Sequence, residues 1–170
     1  MPARVRGAGL GLLLAAVSCT LLALPDDRRQ AIEIQAREAV REEASGLTVY
    51  QGNVTISQGT IEIRADKVSV FTSGNKVGRI LAEGRPARYQ QQPEVDSGLV
   101  VAQGNAIEYN VETDIILLTG NASLEQQEAT LTGERIEYDL RREVIRAKGS
   151  DSGDDRIRMV IPPSQQQGTE

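Results

Sequence analysis

The sequence predicts an all-β protein built of repeated short antiparallel strands, and three observations carry that prediction. The chain repeats itself: Gly52-Asn53-Val54-Thr55-Ile56 returns as Gly120-Asn121-Ala122-Ser123-Leu124. Thirteen residues after each glycine stands Ala65-Asp66-Lys67-Val68 or Gly133-Glu134-Arg135-Ile136, so both echoes share an ungapped offset of 68 residues. Apolar residues alternate with polar ones almost everywhere after residue 31, which gives one oily and one wet face to each extended segment. Glycine and asparagine, the residues that tolerate positive φ, recur between the alternating runs and read as turns.

Taken in order, Ile32 and Ile34 open the pattern and predict an edge strand over 32–36. The stretch from Arg37 to Ala44 is rich in Glu and Ala, but its place inside the first repeat unit favours an irregular strand over a helix. The alternation then runs through Val54/Ile56, Ile61/Ile63, Val68/Val70, Ile80/Ala82 and Ala87/Tyr89. A polar stretch near 90–98 with its proline and glycine reads as an inserted loop. Leu99/Val101, Ile107/Tyr109, Ile115/Leu117, Ala122/Leu124 and Ile136/Tyr138 continue the pattern. Ile157/Met159/Ile161 close it, in a second edge strand over 156–161 that Pro162-Pro163 terminates. Gly52-Asn53, Gly104-Asn105 and Gly120-Asn121 are read here as turns, and 149–155 as a hydrophilic acidic loop. Two sheets of such strands can close as a jelly roll or stay open as a groove.

Composition narrows the function. The chain of 170 residues is 39% hydrophobic but only 3% aromatic, without Trp and with a single Phe, so its interior is a smooth lining of Val, Ile, Leu and Ala. Arg4 and Arg6 precede an uncharged, Leu- and Ala-rich run of 18 residues from Gly7 to Leu24, which reads as an export signal over residues 1–25. Cleavage, retention as an anchor and lipidation at Cys19 are its three available fates. Cys19 is the only cysteine, so no disulfide framework is expected. The formal charge is −5, and loss of the leader removes two arginines and no acid. No basic stripe with interleaved aromatics is left for a nucleic acid.

The chain has no histidine, which removes the commonest general base, the usual triads and the usual zinc sites. The carboxylates alternate with apolar residues as solvated outer-face groups do, and nothing singles out a pair aimed into one cleft. The glycines are spread singly and do not form a phosphate cradle. An enzyme, a metal and a cofactor are therefore not expected, and a binding surface or groove is.

Four segments carry a resemblance: Leu47-Thr48-Val49-Tyr50-Gln51-Gly52-Asn53-Val54, then Gln58 to Val68, then Leu118-Thr119-Gly120-Asn121-Ala122, and last Val160-Ile161-Pro162-Pro163-Ser164-Gln165. Over about residues 32–167 the chain resembles the OstA-like family, and its Pro-Ser-Gln ending resembles that of the member that bridges the two membranes in lipopolysaccharide export. The resemblance implies an open, slightly twisted β-jelly roll over 26–163, between the signal peptide at 1–25 and a flexible tail at 164–170. It implies that the apolar interior takes the acyl chains of lipid A while the sugars stay outside. It also implies head-to-tail self-association, an LptC-like inner-membrane protein at the N-terminal edge and an LptD-like outer-membrane protein at the C-terminal edge. Lipid contacts carried over by alignment are Ile32, Ile34, Arg79, Tyr89, Tyr109 and Val111. An anchored LptC-like adaptor and a scaffold with a dry core are the alternatives.

Overall fold

Period-two alternation is realised in six long strands, β3 (Leu47–Gln58), β4 (Ile61–Ser73), β5 (Lys76–Gln91), β6 (Val100–Asn110), β7 (Ile115–Gln126) and β8 (Ala129–Asp139). Four short ones complete the sheet: β1 (Glu33–Gln35), β2 (Glu38–Glu42), β9 (Val144–Lys148) and β10 (Arg158–Val160). The protein is described here from a computed structural model, over residues 27–74, 76–93, 98–150 and 156–163. All ten strands belong to one antiparallel sheet in which β3 to β8 follow in chain order. β1 and β2 both pair with β3 at one end, and β9 and β10 both pair with β8 at the other. The Glu- and Ala-rich stretch is thus a strand, as its place in the repeat requires. The two expected edge strands are present as β1 and β10. The leader at 1–25, the tail at 164–170 and most of the acidic loop lie outside the described residues.

The long strands run eleven to sixteen residues, because the Gly-Asn pairs read as turns are bulges within strands. Gln51 faces Lys67 and Val54 faces Ala65, so Gly52 and Asn53 together oppose Asp66 alone. The second copy does the same: Thr119 faces Arg135 and Ala122 faces Gly133, so Gly120 and Asn121 oppose Glu134. Both pairs adopt positive φ, 85° and 50° in the first copy and 72° and 53° in the second. The ladders β4–β5, β5–β6 and β6–β7 shift register at the same level. A seam of irregularities therefore crosses the whole sheet and divides every strand into an upper half (54–58, 61–65, 87–91, 100–104, 122–126 and 129–133) and a lower half (47–51, 67–71, 79–83, 106–110, 115–119 and 135–139).

A bulge bends its strand, and burial shows the direction of the bend. Val68, Leu118 and Ile136 are each 0% exposed. Among the described residues the only helical element is the three-residue 3-10 turn Asp27–Arg29, so nothing but the sheet can cover the sheet. The inward residues of the two halves, Val54, Ile63, Ala102 and Leu124 from above and Val68, Ile80, Ile107 and Ile136 from below, belong to one packed cluster. The seam is a crease, and the two wings of one sheet close over a shared interior. Full burial of each such aliphatic side chain contributes about 1.5–3 kcal/mol.

Polar contacts fix the ends of the wings. The Asp27 carboxylate accepts bonds from the Thr60 amide at 2.6 Å, the Thr60 hydroxyl at 2.7 Å and the Gln91 side-chain amide at 3.0 Å, which ties the start of the described chain to the upper hairpin between β3 and β4. At the lower tips the repeat is exact in its backbone: the Thr72 amide donates to the Gly46 carbonyl at 2.9 Å, and the Leu140 amide to the Asp114 carbonyl at 3.0 Å. Asp114 takes the positive φ that glycine takes in the first copy. It holds that position by burial at 0% exposure, with the Tyr109 hydroxyl donating to one carboxylate oxygen and Arg141 to the other.

Two predictions follow from the crease and the core. A Cβ built at Gly120 comes within 2.7 Å of the Asn105 side chain and stands at φ +72°, so Gly120→Ala is expected to cost about 1–3 kcal/mol, measured by urea unfolding. Burial first, and the Glu143 carboxylate second, raise the Tyr138 phenol above its ordinary 10.0. The stability this group contributes is present below pH 10 and lost as pH climbs through the folded-state value. Tyr138→Phe is therefore expected to flatten the alkaline limb of a melting-temperature profile recorded above pH 10.

Candidate lipid-binding site

Between the wings aliphatic side chains converge from many strands, because alternation sends mostly Ile, Val, Leu and Ala inward and mostly polar residues outward. In the middle of the sheet these side chains pack to near-zero exposure. At the β8 end they do not. Leu124, Leu131, Ile157 and Met159 of the upper wing and Ile145 and Ala147 of the lower wing line a cavity of about 470 Å³ open at the sheet's end. That volume is within the range of small-molecule and lipid pockets. The cavity lies where β9 pairs with the lower half of β8 and β10 with its upper half.

The exposed large apolar side chains gather at the two ends. Ile32 and Val40 lie at the β1–β2 end, Ile145, Ile157, Met159, Val160 and Ile161 at the β9–β10 end, and Leu99 alone lies on a connection between strands in the middle of the sheet. Ile161 is 70% exposed and Met159 60%. The apolar cavity at the β9–β10 end is rimmed by exposed aliphatics, Ile145, Ile157 and Met159.

The expected contact residues are distributed along this interior and are not gathered at one point. Ile34 is half-buried and packs on the core at the β1 end, with Ile32 beside it at 44% exposure. Tyr89 is buried at 2% exposure in the upper wing, its hydroxyl donating to the Gln91 side-chain carbonyl at 2.6 Å. Tyr109 is half-buried in the lower wing and is held by Asp114 at 3.1 Å. Val111 sits in the turn after β6, where its amide donates to the Gly78 carbonyl at 2.9 Å. Arg79 is on the outer face: it alternates with the inward Ile80, lies over the Phe71 ring at 3.8 Å from the centroid and pairs with Glu108 at 3.2 Å. A phosphate could reach Arg79 from outside the roll only.

The cavity at the β8 end was not anticipated, although its signal was partly legible. Ile157 and Met159 stood out by alternation, but Val144-Ile145-Arg146-Ala147-Lys148 is too short and too basic to read as a lining strand without its partner β8. Among the described residues no group of three or more His, Cys, Asp or Glu side chains could hold a metal.

Comparison with known proteins agrees with this geometry. Residues 33–144 match the family model described as LptA/(LptD N-terminal domain) LPS transport protein. The chain is 36% identical over 159 residues to the lipopolysaccharide export system protein LptH of Pseudomonas aeruginosa, covering 90% of this chain and 91% of the relative. It is 34% identical over 158 residues to the lipopolysaccharide export system protein LptA of Escherichia coli, covering 91% and 83%. The crystal structure of LptH, described as the LptA homologous periplasmic component of the lipopolysaccharide transport device of Pseudomonas aeruginosa, superposes with a TM-score of 0.75 at 32% identity. It covers 82% of this chain and all of that one. A single creased sheet with an apolar interior, matched over nearly its whole length in sequence and in structure, thus makes this chain a member of the LptA/LptD N-terminal domain family of lipopolysaccharide transport proteins.

Proposed function

We propose that the chain is a non-enzymatic periplasmic carrier that holds the acyl chains of lipopolysaccharide between its wings and passes the lipid from the inner membrane to the outer. The observation that carries the proposal is the apolar cavity that opens at the β8 end, rimmed by exposed aliphatics. Each methylene removed from water is worth about 0.8 kcal/mol, so a multiply acylated lipid does not cross the aqueous gap unaided. The interior is mostly aliphatic from strand to strand, so a hydrocarbon that enters at the β8 end and parts the wings keeps the same kind of neighbour as it advances. The sugars stay in water at the open side. Nothing in such a mechanism needs a reacting group, and energy for directed movement is supplied elsewhere in the pathway.

In this reading the β1–β2 edge receives an LptC-like inner-membrane protein, the β9–β10 edge meets an LptD-like outer-membrane protein, and further copies of the chain lengthen the bridge head to tail. The unpaired backbone groups of the edge strands supply the donors and acceptors for such β-augmentation. The contact set is Ile32, Ile34, Tyr89, Tyr109 and Val111 on the inside, extended by Ile145 and Met159, with Arg79 able to meet a phosphate on the outer face.

A photoreactive residue at Ile34 is expected to crosslink to lipopolysaccharide in cells, and one at the outward Glu33 is not. Silence at both positions in an exported, folded protein would instead support a scaffold with a dry core. Met159 is 60% exposed, so Met159→Asp is expected to leave the melting temperature within a few degrees of the unaltered protein. Lipopolysaccharide affinity is expected to fall at least about tenfold, the equivalent of 1.4 kcal/mol; unchanged affinity by fluorescence titration would remove the β8-end cavity from the path.

A further inference from the structure

A chain of polar contacts joins the start of the described residues to the middle of the core. Residues 27–30 precede β1, yet they reach the upper ends of the three strands that follow it in the sheet, β3, β4 and β5. The Gln58 side-chain amide, at the end of β3, donates to the Gln30 carbonyl at 3.1 Å. The Asp27 carboxylate takes the Thr60 amide and hydroxyl in the β3–β4 turn and the Gln91 side-chain amide at the end of β5. The Thr60 hydroxyl in turn accepts from the Gln92 amide at 3.3 Å. From β3 to β5 is two strand spacings, about 10 Å, and residues 27–30 strap that length of the upper rim together.

The seat of this strap departs from the repeat. A Cβ at Gly59 would collide with the Asp27 carboxylate. The residues 68 further on are Gln127 and Glu128, with a side chain where Gly59 has none and a carboxylate where Thr60 offers a hydroxyl. Both of these take positive φ, whereas of the first pair only Gly59 does. The two hairpins match in their strands and differ at the tip, and Glu128 would repel the very group that Thr60 holds.

Asp27 also decides what Gln91 presents to the interior. A carboxylate only accepts hydrogen bonds, so Gln91 turns its NH2 toward Asp27 and its carbonyl toward the Tyr89 hydroxyl, which donates to it at 2.6 Å. Tyr89 is 2% exposed and faces Ile63 and Ala102 across its two ladders. A hydrocarbon reaches a side chain packed so deeply only if the ring moves, and the ring is held through Gln91 by the strap. Resting on the carrier reading above, we infer that residues 27–30 are a latch on the lipid path, with Asp27 and Gln91 as positioning residues. Closed, the latch keeps Tyr89 in the packed core; lipid that parts the wings at β5 does so by releasing Asp27 from Thr60 and Gln91. Latch and lipid therefore compete. The apparent affinity of a ligand that binds only the open form is reduced by the fraction of molecules that are open, and the strap lowers that fraction.

The test is made on the exported protein with purified lipopolysaccharide. Asp27→Ala is expected to lower the melting temperature by a few degrees and yet to bind the lipid at least about threefold more tightly by fluorescence titration. Tyr89→Phe keeps the ring and cuts the same chain at its inner end, so it is expected to do likewise. The double variant is expected to gain no more than either single one, because both open one latch. Hydrogen exchange supplies a readout that a plain N-terminal cap would not move. The Thr60 amide, whose acceptor is Asp27, is expected to exchange at least about fivefold faster with saturating lipid than without it, and the Leu140 amide at the lower tip is expected to be unchanged. An Asp27→Ala protein that loses stability but binds the lipid no more tightly overturns the latch and leaves the carrier intact; so does a Thr60 amide whose exchange the lipid does not alter. Absence of binding by the unaltered protein and by all three variants refutes the carrier reading itself and takes the latch with it.

Discussion

Everything in this fold depends on a sheet having to cover itself. A sheet with one apolar face needs a second layer, and here the described residues supply no helix to provide it. The solution is a line of bulges at one level across every strand, at which the sheet folds along its own width. Gly52-Asn53 and Gly120-Asn121 are the visible parts of that line, since two successive residues at positive φ are what a two-against-one bulge of this kind demands. The crease brings the upper and lower inward faces together, and both the packed middle of the core and the open cavity at its end are consequences of it.

A sheet folded across its width has no natural end. Barrels close on themselves; this one stops, and each stop is made of two short strands where the interior has one long one. Ala36 and Arg37 interrupt the strand at the first end, with the Arg37 amide donating to the carbonyls of Gln51 and Gly52 at 3.0 and 3.2 Å. At the other end β9 stops at Lys148 and β10 starts at Arg158. Short, charged edge strands blunt unspecific pairing. The cavity at the β8 end and the clustering of exposed aliphatics at both ends are therefore one feature: the cross-section of the interior, visible wherever the sheet stops.

Much of this was written in the sequence, and the failures are instructive. The alternation assigned the faces correctly where apolar and polar residues strictly alternate, as at Ile34, Val54/Ile56, Val68/Val70 and Ile107/Tyr109, because side-chain direction in a strand is a local property with a period of two. In the continuous apolar runs it chose the outward pairs Leu99/Val101 and Ile115/Leu117, whereas Val100, Ala102, Ile116 and Leu118 line the core. The strand at Glu38–Glu42 was legible against its helix-prone composition because the repeat placed it. The Gly-Asn pairs were not legible as bulges, since positive φ serves a turn and a bulge alike and only the partner strand distinguishes them. Arg79 could have been placed on the outer face from its neighbour Ile80, whose inward direction the pattern already gave. The cavity was not legible, because the sequence gives no measure of the space beside Val144–Lys148 and Arg158–Val160, two segments that pair with the two halves of the same strand.

Transport asks for the opposite of what a tight binding site offers. A pocket with well-placed polar groups holds one ligand in one place, and moving the ligand then costs the free energy of every contact. An interior mostly of Val, Ile, Leu and Ala, in which the Tyr89 and Tyr109 hydroxyls bond Gln91 and Asp114, offers many equivalent weak contacts. Dispersion contacts of about 0.1–0.2 kcal/mol each are lost behind a moving chain as they are gained ahead of it. The 68-residue repeat extends that condition, because β7 and β8 present the same faces as β3 and β4. Aromatic residues are few, four Tyr and one Phe; the tyrosines pack in or against the core and the Phe lies on the outer face at Phe71 beneath Arg79.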